Sequence, residues 1–506
     1  MFDIKRMNRN PIFQVDGYKI CHIDQYPKGM QYVHETWTPR ISRVEDVNHV
    51  VVFGLQGALG ELVGNFDEYF FKQPIDEVIA DYERVIKEVY GRTNPEFVKN
   101  HDNSHIRKLH SLGYLPIKVK ALPEGTLVPI KVPAYTIENT LPEFYWLPGY
   151  LENLLSAYVW GAMTVATTAN TFKRILLKYA AISSDESKVF MQAGDFSSRG
   201  MTSPESAYRL SAGHLVSFGV SATIATKLYL EAYYNAKEDA MSYTPSTEHS
   251  VMCSYGANEV EAFTHLITNV HPSGNLSIVS DSYDFWGVVE NILPALKEKI
   301  LERDGKVVIR PDSGDPVKIV CGDDEASNEF AKKGLVQSLY EIFGGIKNEK
   351  GYIELDPHIG VIYGDSITTK RAKDICEGLI KKGFASTNCV LGVGSYSYQY
   401  VTRDTYGFAL KATAAVIDGK FVPIFKDPKT DNGRFKKSQK GLVAVIWSED
   451  KNDYELVDNL NPETIKAYEG KNYLNDVFVD GKFVRLRDLE EIRQLLTKET
   501  YRVYGV

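Results

Sequence analysis

The spacing of apolar and polar residues changes twice along the chain. Through residues 1–160, helical and strand periods are mixed. LPIKVKALPEG (115–125) and TLVPIKVPAYTIENT (126–140) are rich in Val, Ile and Thr. They predict two paired strands that turn at the Pro-Glu-Gly of 123–125. PEFYWLPGYLENLLSAYVW (142–160) predicts a helix broken near Pro148 and Gly149. From about 185 to 395, short apolar runs end in an acid or a glycine. KVFMQAGD ends at Asp195, NLSIVSD at Asp281, KVVIRPD at Asp312, GVIYGD at Asp365 and NCVLGVG at Gly394. Between them lie amphipathic stretches such as DFWGVVENILPALKEKI and TTKRAKDICEGLIKKG. This alternation predicts buried parallel strands in an α/β barrel or an open doubly wound sheet. In a barrel, residues just past the strand C-termini line the active site. From about 405 the signals are antiparallel again. AVIDGKFVPIF and VFVDGKFVRL each carry an Asp-Gly hairpin turn. DPKTDNGRFKKSQKG (427–441) reads as an exposed loop.

Length and composition narrow the class. The 506 residues allow two to four domains, or one large barrel with an accessory domain. Lys plus Arg is 58 against 66 for Asp plus Glu, a net charge of -8, so no nucleic-acid surface is expected. Cys21, Cys253, Cys321, Cys376 and Cys389 are odd in number and widely spaced, which predicts neither a disulfide framework nor a zinc site. No apolar run approaches the ~20 residues of a membrane span. MFDIKRMNRN has no apolar h-region, so a cytoplasmic protein is expected.

The candidate chemistry clusters at the predicted strand ends. In GDFSSRG (194–200), Phe196 offers a stacking face and Arg199 an anion partner. In STEHS (246–250), His249 stands beside Glu248, an arrangement that suits a base or a nucleophile. SDSYD (280–284) and RPDSGDP (310–316) follow strands. Arg310 and Asp312 alternate there and face one way, as a sugar phosphate would require. YGDS (363–366) and LGVGSYS (391–397) have the glycines of phosphate-cradling turns. Each motif alone is equally met by ordinary core and surface residues.

Together they are specific. In order, DGYK (16–19), FGLQ (53–56), GDFSSRG, GHLVSF (213–218), EHS, SIVSDSYD, RPDSGDP, YGDS, GVGS, TRD (402–404) and FKDP (425–428) run through most of the chain. The set resembles the nicotinamide phosphoribosyltransferase family of type II phosphoribosyltransferases. The resemblance implies an irregular α/β barrel at 161–395. It also implies a second α+β domain built from both termini, 1–160 with 396–506, and a homodimer with interfacial active sites. The implied reaction joins nicotinamide to phosphoribosyl pyrophosphate, giving nicotinamide mononucleotide and pyrophosphate. Mg²⁺ is the implied cofactor, with no metal ligand singled out. ATP is the implied co-substrate, acting through a phosphohistidine.

By motif, His249 matches the phosphorylated histidine and Asp281 the acid that supports it. Phe196 matches one ring of a pyridine sandwich and Tyr18, from the other subunit, its second ring. Arg199, Arg310, Asp312, Gly364 and Asp365 match residues around the ribose and base, and Ser277 a serine lining a tunnel behind the base. Gly394, Ser395, Arg403 and Lys411 match the 5′-phosphate site. Arg40 and Lys436 match residues that handle pyrophosphate and ATP phosphates.

The chain departs from the family pattern in two places. Ala222 stands where an aspartate accepts the nicotinamide amide. Ser395 and Tyr396 replace glycines of the phosphate turn, and Ala409 replaces a hydroxyl residue. These changes open two alternatives: nicotinate as the base, or ADP-ribose pyrophosphate as the donor, giving NAD directly. A catalytically dead binding barrel conflicts with His249, Asp281, Arg310 and Asp312. An aldolase or glycosidase barrel explains the motifs less well.

Without the aspartate, a smaller preference for nicotinamide over nicotinate is expected than in relatives that have it. Ala222→Asp is expected to raise that preference by about 1–3 kcal/mol, read as the ratio of kcat/KM values for the two bases. An unchanged ratio would show that position 222 does not read the amide.

Overall fold

The computed structural model describes residues 9–426 and 438–506. The chain divides into two compact units. The first is Met1–Thr164, Tyr233–Asn235 and Arg403–Leu495. The second is Val165–Ala232, Ala236–Thr402 and Leu496–Val506.

The first unit is built on a seven-stranded antiparallel sheet. Its order is Lys420–Pro423, Ala409–Ile417, Met30–Thr38, Tyr135–Asn139, Ile117–Ala121, Asn475–Val479 and Lys482–Phe483. Strands from early and late in the chain thus share one sheet. Trp37, fully buried, lies at its centre between Tyr135 and Phe408, with ring centroids 5.6 and 5.3 Å away and nearly parallel planes. Both Asp-Gly hairpins form as expected. Ile417 faces Lys420 and Val479 faces Lys482, and the turn residues Asp418, Gly419, Asp480 and Gly481 all have positive φ.

One local expectation is met in part and another changes. Ile117–Ala121 pairs with Tyr135–Asn139, while Leu127–Pro129 between them pairs with His49–Val51. The reason is Glu124. Its buried carboxylate accepts the N–H groups of Gly54 (3.2 Å) and Gln56 (2.7 Å), capping the helix Leu55–Phe66. Gly125 donates its N–H to the carbonyl of Val52. The 123–125 segment turns as expected, Thr126 donating its N–H to the Pro123 carbonyl at 3.1 Å, and it also serves a helix start. The helix expected to break near Pro148 instead begins there and runs unbroken over Leu147–Ser183. Pro148 falls in its first turn, where the missing N–H has no partner to lose.

The second unit holds a six-stranded parallel sheet in the order Val220–Ser221, Ala193–Asp195, Cys389–Val393, Ile359–Tyr363, Val307–Arg310 and Leu276–Val279. Ala193, Ile278, Ile309, Val361 and Leu391 are buried in its core. Parallel strands covered on both faces read as continuous apolar runs, which is why their ends were legible. The architecture is mixed α/β, a parallel half-barrel sheet together with an antiparallel sheet of N- and C-terminal strands. The segment 242–246 makes single parallel bridges to both edge strands, Ser242 with Val220 and Ser246 with Ser277. One apolar run is shortened. Residues Glu186–Met191 form a 3-10 helix, and the strand is only Ala193–Asp195. Among the described residues, no helix is long and apolar enough to cross a membrane.

Burial pushes the carboxyl of Glu124 up from 4.5 to about 7, although its backbone N–H partners pull the other way. The folded chain then holds this proton where the unfolded chain has lost it. The stability contributed below pH 4.5 is accordingly lost as pH rises toward 7. Glu124→Gln should flatten that loss, by on the order of 3 kcal/mol at most. Melting temperatures of wild type and variant at pH 5 and pH 7 test it, and equal slopes would refute it.

Candidate active site

Every strand end that the sequence singled out lies on the parallel sheet of the second unit. Three glycines on neighbouring strands strip this end of side chains. Gly194 pairs in register with Gly392, and Gly364 directly follows Tyr363. A Cβ on Gly392 would lie 2.8 Å from the Cα of Gly364 and 3.2 Å from the ring of Phe196. A Cβ on Gly364 would lie 2.9 Å from Asp312 Oδ1. The glycines therefore form a bare floor, with Phe196 over one side and the Arg310–Asp312 pair over the other. Phe196 is half-buried, and Tyr243 meets it edge-on at 5.9 Å.

His249 is brought to Asp281 by a local staple. Thr247 donates its N–H to the Ser277 carbonyl (3.0 Å), and its hydroxyl accepts the N–H of Val279 (2.9 Å). Two residues further along each segment, His249 Nε2 lies 3.0 Å from Asp281 Oδ1. The other oxygen of Asp281 accepts the Asp312 N–H at 3.0 Å and the Ser313 hydroxyl at 2.6 Å. Burial alone would raise the carboxyl of Asp281. The bonds from Ser313, Asp312 and His249 outweigh it and hold the group below its ordinary value. Asp312 goes the other way. Burial raises it, Arg310 opposes, and the facing carboxylates of Asp281 and Asp365 add to the rise.

Arg310 donates from Nη2 to the Thr247 carbonyl at 2.5 Å, tying the His249 segment to the next strand. Its Nε is buried without a hydrogen bond, 3.6 Å from Asp312 Oδ1. The hydroxyl of Ser277 is likewise buried without a partner. Unsatisfied polar groups of this kind are costly and call for a partner such as a water or a ligand.

Asp365 is exposed and accepts the Ser366 hydroxyl at 2.7 Å. Gly394 and Ser395 start the short turn of helix Ser395–Tyr398. Gly200 packs directly on Ser395, so the backbone beside exposed Arg199 runs next to that turn. Tyr396 is exposed and its ring stacks on that of Tyr400 at 5.6 Å. Ala222 is half-buried and donates its N–H to the Asp195 carbonyl at 2.9 Å. The second unit thus brings together His249, Asp281, Arg310, Asp312, Gly364 and Asp365, and Phe196 with the glycine floor.

The other expected site residues belong to the first unit. Tyr18 is exposed on helix Gly17–Gln25 and donates to Asp16 Oδ2 at 3.0 Å. Arg40 donates to the Gly407 carbonyl at 2.8 Å. Arg403 is exposed, 3.8 Å from Asp404 Oδ1. Lys411, on strand Ala409–Ile417, is exposed and 3.8 Å from Glu152 Oε1. Lys436 lies outside the described residues. Thr247, Ser313 and Tyr243 were not singled out in the sequence. Only their position beside the motifs could have drawn attention to them.

Known proteins resemble the chain along nearly its whole length. Residues 191–482 match the Nicotinate phosphoribosyltransferase (NAPRTase) family model, and residues 10–119 match the Nicotinamide phosphoribosyltransferase, N-terminal domain model. A nicotinamide phosphoribosyltransferase of Acinetobacter baylyi is 44% identical over 505 residues, covering 97% of each chain. One of Xanthomonas campestris pv. campestris is 32% identical over 493 residues, covering 96% of this chain and 97% of its own. The crystal structure of nicotinate-nucleotide pyrophosphorylase from Pyrococcus furiosus superimposes with a TM-score of 0.60 at 14% identity, covering 100% of this chain and 99% of its own. That likeness shows a shared fold.

The glycine floor separates stability from activity. Gly392→Ala meets backbone and should cost about 1–3 kcal/mol of stability. Gly364→Ala meets the movable carboxylate of Asp312. It should leave the melting temperature nearly unchanged while lowering kcat/KM by as much as ~10²-fold. Melting curves and kinetics of the two variants test this, and equal effects on both readouts would refute it.

Proposed function

The chain belongs to the nicotinamide phosphoribosyltransferase family, and on that premise we infer that it makes nicotinamide mononucleotide and pyrophosphate from nicotinamide and phosphoribosyl pyrophosphate in NAD salvage. The near full-length match at 44% identity carries the reading. The geometry of the strand ends supports it. In the reaction the C1′–oxygen bond to pyrophosphate breaks as the pyridine nitrogen bonds to C1′, through a state with oxocarbenium character. Such chemistry asks for a stacked, oriented base, an anchored ribose and neutralised leaving-group charge.

Phe196 stacks on the pyridine, and Tyr18 of the partner subunit closes the sandwich in a homodimer with shared sites. Arg310, with its unbonded Nε, together with Asp312, Gly364 and Asp365, holds the ribose and orients the base, with Arg199 beside them. Ser277 and Ala222 line the base pocket. Gly394, Ser395, Arg403 and Lys411 take the 5′-phosphate, and Arg40 and Lys436 the pyrophosphate. The parallel sheet, with the segment 242–246 bridging its two edges, makes an irregular barrel, and the chain works in the cytoplasm.

Among the described residues, no group of three or more ligating side chains could hold a metal unaided. Asp312, raised by burial and by the carboxylates that face it, fits a divalent cation carried in on phosphates and held by one or two carboxylates. Asp312 and Asp365 are the residues that would hold Mg²⁺, which when bound supplies neutralisation of the pyrophosphate charge.

His249 donates Nε2–H to Asp281, which leaves the Nδ1 lone pair as the atom that accepts a phosphoryl group from ATP. Phosphorylated, it places negative charge near the developing cation. A second reading keeps the site and changes the donor to ADP-ribose pyrophosphate. It is favoured by Ser395 and exposed Tyr396 at the phosphate turn.

The deciding experiment incubates the protein with nicotinamide and either donor, with and without ATP, and identifies the product by mass. Nicotinamide mononucleotide is expected. NAD formed from the second donor alone would replace this reading with the other, and neither product would end both. In the same assay His249→Ala should lose ATP stimulation and the acid-labile phosphoprotein, while slow transfer persists. Undiminished ATP coupling would remove His249 from its role.

A further inference from the structure

Asp195 ends the strand Ala193–Asp195 and is wholly buried. Its Oδ1 accepts the Ser197 N–H at 3.0 Å and the Ser197 hydroxyl at 2.5 Å. Its Oδ2 accepts the hydroxyls of Ser221 at 3.0 Å and Thr223 at 3.2 Å. Both oxygens only accept, from two donors each, as a carboxylate does. All four donors are uncharged, and among the described residues no cation is within ion-pair distance. Arg199, the cation of the same motif, is exposed to solvent, where its charge is screened. The protein thus keeps a buried, hydrogen-bonded and electrically uncompensated negative charge, an arrangement that burial makes expensive.

Its place is informative. Phe196 is the next residue. Asp195 is in register with Ser221, and its carbonyl accepts the Ala222 N–H. Ser221 and Thr223, on either side of Ala222, both turn their hydroxyls to Asp195. The charge therefore stands directly behind the two positions expected to read the base. The side chain at 222 is a methyl group, which can neither accept an amide N–H nor repel a carboxylate.

We propose that Asp195 is a specificity-determining residue. From behind Phe196 and Ala222 its buried negative charge excludes a base that carries a carboxylate, so nicotinamide is selected over nicotinate by charge. The proposal rests on the transferase reading above. Tenfold discrimination needs two like charges no farther apart than about 12 Å at an effective dielectric of ~20, a loose requirement inside one pocket. The same hydrogen bonds tie the Phe196 segment to the Ala222 segment, so loss of Asp195 also has a structural cost. That cost falls on both bases alike, whereas loss of the charge does not.

The test measures kcat/KM with nicotinamide and with nicotinate, using phosphoribosyl pyrophosphate as donor, for wild type and Asp195→Asn. The expected result is a fall of about tenfold in the nicotinamide-to-nicotinate ratio, with nicotinate improving relative to nicotinamide. An equal loss for both bases would make Asp195 a buttress and overturn the proposal. Should the variant fail to fold, wild type alone decides with 3-acetylpyridine, which is neutral and has no amide N–H. Charge exclusion predicts that it is used at least tenfold better than nicotinate. Rejection as strong as that of nicotinate would assign discrimination to an amide acceptor and end the proposal. A wild type inert towards nicotinamide would instead refute the transferase reading.

Discussion

The strand ends of the second unit depend on keeping side chains off one patch of backbone. Parallel strands bring their C-terminal ends together, and three adjacent ends would ordinarily crowd that space with Cβ atoms. Gly194, Gly392 and Gly364 prevent it. Their hydrogens allow the ring of Phe196 to lie down on the sheet and Asp312 to approach to within 2.9 Å of where a methyl would stand. None of the three has a positive φ, so backbone conformation does not require glycine there. The requirement is space, which is what a ligand lying across the strand ends would need.

The acids at this floor show how one residue type serves opposite ends. Asp281 has its oxygens occupied by His249, the Asp312 N–H and Ser313, and its charge is stabilised despite burial. It is a fixed negative group that orients an imidazole. Asp312 has Arg310 nearby at a loose 3.6 Å and two carboxylates facing it, and its charge is opposed. A group in that state is relieved by whatever positive charge arrives, on a metal or on a developing cation. Glu124 is a third case. There the buried carboxylate acts on backbone, and its two N–H partners only partly offset the penalty of burial.

The strand ends were legible because a buried parallel strand is a short unbroken apolar run, and the first polar residue after it marks where the chain leaves the core. Asp281, Asp312, Asp365 and Gly394 all follow that rule within two residues. Both Asp-Gly turns were legible because positive φ at two successive positions limits the residues that fit. What failed was context. The 123–125 turn was legible, but nothing local to Pro123, Glu124 and Gly125 announces that it also caps a helix start some seventy residues earlier. Pro148 looked like a helix breaker because the start and the middle of a helix differ only in what precedes them. In the candidate site the motif residues were visible. The residues that hold them were not: Thr247 and Ser313 act through hydrogen bonds to groups distant in sequence.

The fold and the chemistry are written in different parts of the sequence. A TM-score of 0.60 survives at 14% identity, so the fold tolerates nearly complete replacement of its residues. Fold likeness at that distance says nothing about which base or donor is used. In the proposed site those choices fall to a few positions at the strand ends, where one side chain changes a hydrogen bond or a charge without disturbing the sheet. Ala222 is such a position: it keeps the backbone bond to Asp195 whatever its side chain is. A chain can therefore exchange the side chain at such a position while the residues behind it, anchored by four hydrogen bonds to one buried carboxylate, hold the backbone in place.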